Sequence, residues 1–215
     1  MRLLAVDTAL SACSVAVLDG EQVLAHRFEP MERGHAEALA PMVEAAMAEA
    51  GIGFAELERL AVTVGPGTFT GQRVGLAFMR GLRVALKTPL VGVTTLAAMA
   101  AQAGAETGVP AAAALHDAKR GEVYFELLDE KGSSGPVLLP FEEAVARLAA
   151  LVQPVALAGT AAEAAQARLP RSVLSTVRQP DALWVARLAQ TLPQPDSLPR
   201  PLYLRAPDAK LPAAK

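Results

Sequence analysis

A single cysteine, Cys13, means that no disulfide can form within the chain, and it fits a reducing, cytoplasmic setting. There is no excess of basic residues. Lys and Arg number 20 against 22 Asp and Glu, a net charge of -2, which argues against a free-standing nucleic-acid binder. No apolar run is long enough to cross a bilayer, so no membrane partner is expected. The opening M-R-L-L-A-V-D-T places Asp7 where a signal peptide needs its apolar core, and it reads as a first strand. The expected location is the cytoplasm.

Nucleotide signatures are also missing. The stretch V-T-V-G-P-G-T-F-T-G-Q-R-V-G (Val62–Gly75) reads as a buried strand, a Gly-Pro-Gly turn, a Thr-rich loop and a helix start. A phosphate loop would need G-x-x-x-x-G-K-[ST], but Thr70 or Gln72 stands at the sixth position and no Lys-Ser/Thr follows. Gly65, Gly67 and Gly71 are spaced G-x-G-x-x-x-G, which fails the dinucleotide fingerprint too. Gly65 and Gly67 still let a chain or ligand approach closely, and Thr68 and Thr70 are N-cap residues for a helix over about Gly71–Leu86. Arg73 would lie in its first turn, where the macrodipole disfavours a cation. A carboxylate (Asp7 first), a bound anion or a partner protein is expected to compensate it.

At 215 residues the chain can form one substantial domain or two small ones. Strand-like runs at Arg2–Thr8, Ala12–Leu18 and Gln22–Phe28, with an Asp19-Gly20 hairpin signal, precede a helix over about His35–Ala50. Strand Leu60–Val64, the helix above, strand Leu90–Val93 and a helix capped by Thr94 or Thr95 complete a βββαβαβα order. A subdomain boundary is placed at residue 104. The second half opens with strands Ala111–Asp117 and Glu122–Asp129. Helix Phe141–Val152, strand Val155–Gly159, a helix Thr160–Leu169 capped by Thr160, and helix Asp181–Thr191 follow. The repeated order suggests a duplicated α/β unit. The expected parts are 1–104, 105–192 and a Pro-rich extended tail, 193–215.

Both long helices carry more apolar surface than one buried face needs. Leu39, Met42, Val43, Ala46 and Met47 form one stripe; Val74, Ala77, Phe78, Gly81, Leu82 and Ala85 form another. Small residues let helices approach, and Met adapts to irregular partners. Ala38, Met42, Leu76 and Met79 extend the apolar surface beyond one face, so part of it is expected to be exposed. Cys13 alternates with Ser11, Val15 and Val17, as a buried, inert thiol would. No G-x-S-x-G elbow is present.

Five blocks then carry a resemblance: A-V-D-T-A-L-S-A-C-S-V-A-V (Ala5–Val17), R-G-H-A-E-A-L-A-P-M-V (Arg33–Val43), V-G-P-G-T-F-T-G-Q-R-V-G (Val64–Gly75), D-A-K-R-G-E-V-Y (Asp117–Tyr124) and P-L-Y-L-R (Pro201–Arg205). In this order they closely resemble the TsaB branch of the glycoprotease-like TsaB/TsaD family, which makes threonylcarbamoyladenosine in transfer RNA. The resemblance implies two RNase H-like subdomains with mixed sheets, the fold of actin, hexokinase and the Hsp70 ATPase domain. It implies a non-catalytic scaffold that binds TsaD and, with TsaE, supports threonylcarbamoyl transfer to the adenosine beside the anticodon. Transfer RNA is then met only through the complex, and a homodimer is expected when TsaD is absent.

Catalytic relatives carry H-x-x-x-H and a metal on the first long helix; here His35 is followed by Leu39, so no metal site is expected. The turn Asp7–Ala12 lacks the glycines of a phosphate hairpin, and V-A-L-A-G-T (Val155–Thr160) has only one. Asp7 could hold a magnesium-bound water, cap the turn or pair with Arg73. No catalytic residue and no cofactor are expected. Asp7, Gly65, Gly67 and Arg73 are the candidates should a nucleotide bind at a subunit interface. The implied partner surface comprises Arg33, His35, Leu39, Met42, Ala46, Arg73, Val74, Phe78, Met79 and Leu82. The alternative is an independent nucleotide-binding enzyme or peptidase of the same fold.

Overall fold

The computed structural model describes residues 1–194 and 197–205. The first half runs β1 (Arg2–Asp7), β2 (Ala12–Asp19), β3 (Gln22–Pro30), α1 (His35–Ala50), β4 (Arg59–Gly65), α2 (Phe69–Leu86), β5 (Leu90–Thr94) and α3 (Thr95–Thr107). The second runs β6 (Ala111–Lys119), β7 (Glu122–Asp129), β8 (Gly132–Ser133), β9 (Val137–Pro140), α4 (Phe141–Ala149), β10 (Val155–Ala158), α5 (Ala162–Gln166), β11 (Ser172–Leu174) and α6 (Ala182–Thr191). Residues 197–205 have no regular structure. The rest of the tail expected over 193–215 beyond Pro193 and Gln194 lies outside the described residues.

The two sheets share one plan. The first has order β3-β2-β1-β4-β5; the second β11-β10-β6-β7-β8, with β9 also on β7. In each, the opening strands pair antiparallel and the later strands join in parallel through helical crossovers. Thus β6 repeats β1, β7 repeats β2, β9 repeats β3, and β10 and β11 repeat β4 and β5. Both sheets are mixed, as the two-subdomain expectation required.

Local chemistry sets the element ends. Thr68 Oγ1 accepts from the Gly71 N–H and caps α2; Thr94 Oγ1 accepts from the Ala97 N–H and caps α3. Asp181 caps α6 through the Leu183 N–H. Thr160 does not cap α5: its hydroxyl accepts from the Asp117 N–H, and the helix is only five residues long. Competition from the neighbouring strand explains that difference.

The last helix of each half is exchanged. α3 lays Leu96, Met99, Ala100 and Ala103 on Ala112, Ala114, Ala156 and Ala158 of the second sheet. α6 lays Val185, Ala186 and Ala189 on Leu3, Ala5, Ala16 and Leu18 of the first. Residue 104 therefore falls inside α3, and α6 serves the first sheet although it follows the second in sequence.

On its other face the first sheet is covered by α1 and α2. Leu4, Val6, Val15 and Val17 meet Leu39, Met42, Val43, Ala46, Met47, Leu76 and Met79 there. This corrects the expected partner surface. Leu39, Met42, Ala46 and Met79 are 1%, 6%, 0% and 0% exposed, so they are core. The long, pliable Met side chains fill the space between two helices and a sheet. Met79→Lys is therefore expected to destabilise the fold by several kcal/mol, the cost of burying an unpaired charge. Urea denaturation checks this, and a variant with wild-type stability would contradict the assignment.

Candidate partner-binding surface and cleft loop

The Gly-Pro-Gly loop is folded against the turn between β1 and β2. The Thr68 N–H donates to the Ala9 carbonyl at 2.8 Å. Thr8 Oγ1 donates to the Gly71 carbonyl at 2.7 Å and accepts from the Gly75 N–H at 3.0 Å. A Cβ on Gly71 would stand 2.2 Å from the Thr8 carbonyl oxygen, and one on Gly67 2.4 Å from that of Ala9. Both obstacles are backbone, so only glycine fits. Gly65 is left-handed, at φ +107°, with the Gln72 side chain where a Cβ would go. The close approach that Gly65 and Gly67 permit is thus made by this chain's own atoms.

Asp7 ends β1 and is fully buried. Its Oδ1 accepts from Thr63 Oγ1 at 2.6 Å and from the Ala9 N–H at 3.2 Å, while Oδ2 has no partner. Burial pushes the carboxyl up to about 7; the two hydrogen bonds oppose that, and nearby Asp181 adds to it. Turn-capping is the role the contacts support, and the expected pairing with Arg73 is not formed.

Arg73 is exposed on α2, two residues further into the helix than expected because the helix starts at Phe69. Its guanidinium lies 3.5 Å from the centre of the Phe69 ring, and its Nε donates to Tyr203 Oη at 2.9 Å. The two rings stack with centres 5.9 Å apart. Ring faces and a hydroxyl answer the charge where a carboxylate or anion was expected. Tyr203 belongs to a strap, residues 197–205, laid along α2. Arg80 donates to the Pro199 carbonyl, and the Leu202 N–H to the Val64 carbonyl at 2.7 Å. Arg205 pairs with Glu122 and donates to the Ala118 carbonyl at 2.7 Å, tying the strap to the β6–β7 hairpin. The block P-L-Y-L-R was the only sequence signal for this strap, and nothing local said where it docks.

The remaining titratable groups are held structurally. His35 Nε2 lies 2.9 Å from the Leu10 carbonyl oxygen, a hydrogen bond that the ring N–H donates. His26 Nε2 meets Asp181 Oδ1 at 2.7 Å, and that hydrogen bond raises the imidazole pKa despite burial. Burial lowers that of His116. Cys13 is buried, and chiefly for that reason its thiol is pushed up to about 12, far from a nucleophile's range. Among the described residues no three His, Cys, Asp or Glu side chains converge as metal ligands would. No helix there is long and apolar enough to cross a membrane.

Beside the charged Glu37, Glu44, Glu49, Arg73 and Arg83, and Phe69 at the start of α2, what α1 and α2 expose is mostly small. Ala36, Ala40, Pro41 and Ala48 are exposed on α1, and Thr70, Ala77, Gly81, Val84 and Ala85 on α2. Val74, Phe78 and Leu82 flank them half-buried, while Arg33 and half-buried His35 stand at the α1 start. Ala77, Gly81 and Ala85 recur every four residues, and Val84 is 72% exposed. The outward face is therefore a shallow apolar seam, set one helix face away from the buried methionines. Gly81 and Ala85 were legible as small residues, but spacing alone assigned the opening to the wrong face and passed over Val84.

The family model for TsaD, tRNA N6-adenosine threonylcarbamoyltransferase, matches residues 22–194. The Escherichia coli tRNA threonylcarbamoyladenosine biosynthesis protein TsaB is 41% identical over 58% of this chain and 54% of its own length. The chain thus spans about half the length of that curated relative. A Pseudomonas aeruginosa protein, described as similar to the peptidase YeaZ, superposes with a TM-score of 0.81. It is 31% identical over 95% of this chain and 99% of that one. Component A of (R)-2-hydroxyglutaryl-CoA dehydratase from Acidaminococcus fermentans, 11% identical over 86% of this chain and 96% of its own, shares the fold alone, at 0.53. Two mixed sheets of one plan, the Gly-Pro-Gly loop and these matches make the chain a member of the TsaB branch of the glycoprotease-like TsaB/TsaD family, with a mixed α/β fold.

Proposed function

We propose that this chain is a non-catalytic partner in the formation of threonylcarbamoyladenosine in transfer RNA. It docks on TsaD, and with TsaE it supports transfer of threonylcarbamoyl to the adenosine beside the anticodon. The observation that carries this reading is the outward face of α2. Ala77, Gly81, Val84 and Ala85 lie open beside half-buried Val74, Phe78 and Leu82, with no acidic residue on the helix. Apolar surface of this kind on a soluble chain marks an association site. Small residues every four positions suit close packing of a second helix. Arg33 and His35 stand at the start of α1. Without TsaD, a second copy covers the same face, giving a homodimer.

The inert reading is supported by what surrounds the chemical groups. Asp7 is sealed by Thr63 and the Ala9 N–H, His35 is spent on a backbone carbonyl, and the Cys13 thiol is buried. A nucleotide, where present, would sit at the junction with the partner. The test is a transfer assay with TsaD, TsaE and transfer RNA, with and without this chain. Product should form only when this chain is added. Equal product without it, or turnover by this chain alone, would overturn the reading; so would a peptidase activity or tightly bound nucleotide that survives removal of TsaD.

A further inference from the structure

From Arg59 to Ala105 the chain contains no Asp or Glu, yet it contains Arg59, Arg73, Arg80, Arg83 and Lys87. The strap over 197–205 adds Arg200 and Arg205, again without an acid. Arg59 donates to the Ala189 and Leu192 carbonyls, but the others give a chain of net charge -2 a local run of cations on α2 and the strap. Phe69, Arg73, Arg80, Arg83 and Lys87 follow one another at steps of 4, 7, 3 and 4, which is one ridge of α2. That ridge is roughly 27 Å long at the usual rise of a helix. The strap lies beside it, fixed at Arg80 by Pro199 and at Arg73 by Tyr203.

Arg73, Arg83, Lys87 and Arg200 are exposed, and none makes an ion pair among the described residues. Glu122, the carboxylate that reaches the strap, is taken by Arg205. At the ridge's N-terminal end two stacked rings are open to solvent, Phe69 at 61% and Tyr203 at 48% exposure. Cations without ion pairs in a row match a phosphate backbone, and the exposed parts of two rings beside them give unpaired bases an aromatic surface. We propose that this edge of α2, with the strap, binds a single-stranded segment of RNA directly. This rests on the reading of the chain as part of an RNA-modifying assembly. It departs from the indirect contact with transfer RNA that the sequence suggested, because the overall charge hides a local excess.

The probe is a fluorescein-labelled oligoadenylate RNA of about 12 nucleotides, within the usual site sizes for single strands. Fluorescence anisotropy is read on the full chain at several salt concentrations. Binding should weaken with salt, with a log–log slope of about -2 to -3 for three or four phosphate contacts. The triple variant Arg83→Glu/Lys87→Glu/Arg200→Glu should bind at least 10-fold more weakly and with a shallower slope. These side chains are exposed and unpaired, so circular dichroism should be unchanged, and the triple Gln variant should show a smaller loss in the same direction. Phe69→Ala/Tyr203→Ala should weaken binding at every salt while keeping the slope, the mark of stacking. Wild-type chain that ignores the RNA, or variants that bind it equally well, would overturn the proposal. It is also overturned if the triple Glu variant loses TsaD in RNA-free pull-down but keeps its RNA affinity, because the ridge is then a protein contact. TsaD docking is scored separately, so loss of docking with RNA binding intact counts against the proposed function and not against this site.

Discussion

Gly81→Glu is expected to abolish docking on TsaD and leave the chain folded. Gly81 is exposed in the middle of the α2 seam, and a Cβ there would meet nothing within 4 Å. Replacing a helix-interior glycine should itself stabilise α2 by up to about 1 kcal/mol. In a complex, the same carboxylate would be buried between helices without a partner, at a cost of several kcal/mol. Affinity should fall by about 100-fold or more, and a homodimer built on this face should dissociate with it. Gly81→Ala is the control, since a methyl group keeps the seam narrow and uncharged. Pull-down on TsaD and light scattering of the isolated chain give the answer. A Glu variant that binds TsaD at wild-type strength places the interface elsewhere; one that unfolds shows that α2 is covered in the monomer.

The contrast with Met79→Lys shows what the sequence could and could not say. The order βββαβαβα of the first half was legible because short apolar runs are punctuated by Asp19-Gly20 and Gly51. The strands β9 and β11 were not, being four and three residues long. Spacing also showed that α1 and α2 are apolar on more than one face, but not which face turns outward. The larger residues, Leu39, Met42, Leu76 and Met79, went inward, where area removed from water is greatest, and Ala36, Ala40, Ala77, Ala85 and Gly81 went outward. The exchange of α3 and α6 between the sheets was hidden for a related reason. Both helices are rich in small apolar residues, and periodicity does not say which sheet a helix will cover. By its sequence the cleft loop can admit a chain or a ligand closely. Its glycines instead admit the backbone of Thr8 and Ala9, a contact between residues some sixty positions apart that no local pattern reveals. Arg73 was singled out correctly as a cation in need of a partner. Tyr203 is 130 positions away, so only the folded chain could supply it.

Asp7→Asn is expected to change how stability depends on pH. Burial holds the Asp7 carboxyl at about 7 in the folded chain, against about 3.9 for an unfolded aspartate. Between these values the folded chain keeps a proton that the unfolded chain has released. The stability from that proton is fully present below about pH 4 and is lost as pH rises through 7. The whole loss is about 4 kcal/mol for a difference of about three pH units. Asn is neutral throughout and can still accept from Thr63 and from the Ala9 N–H through its carbonyl oxygen. Below about pH 4 the two proteins should differ little; the Asn variant should be the more stable by about 1.5 kcal/mol near pH 5 and by up to about 4 kcal/mol at pH 8.5. Other groups titrate in the window. His26 and Glu126 both have raised pKa values, and their contributions also fade as pH rises; that of His116, lowered by burial, fades as pH falls. All three remain in the variant, so the difference between the two urea-denaturation profiles isolates Asp7. Parallel profiles would mean that Asp7 is ionised where it is buried. Its unpartnered Oδ2 would then have to be answered by a cation, and the rival reading of this cleft, as a place for a metal-bound nucleotide, would regain its anchor.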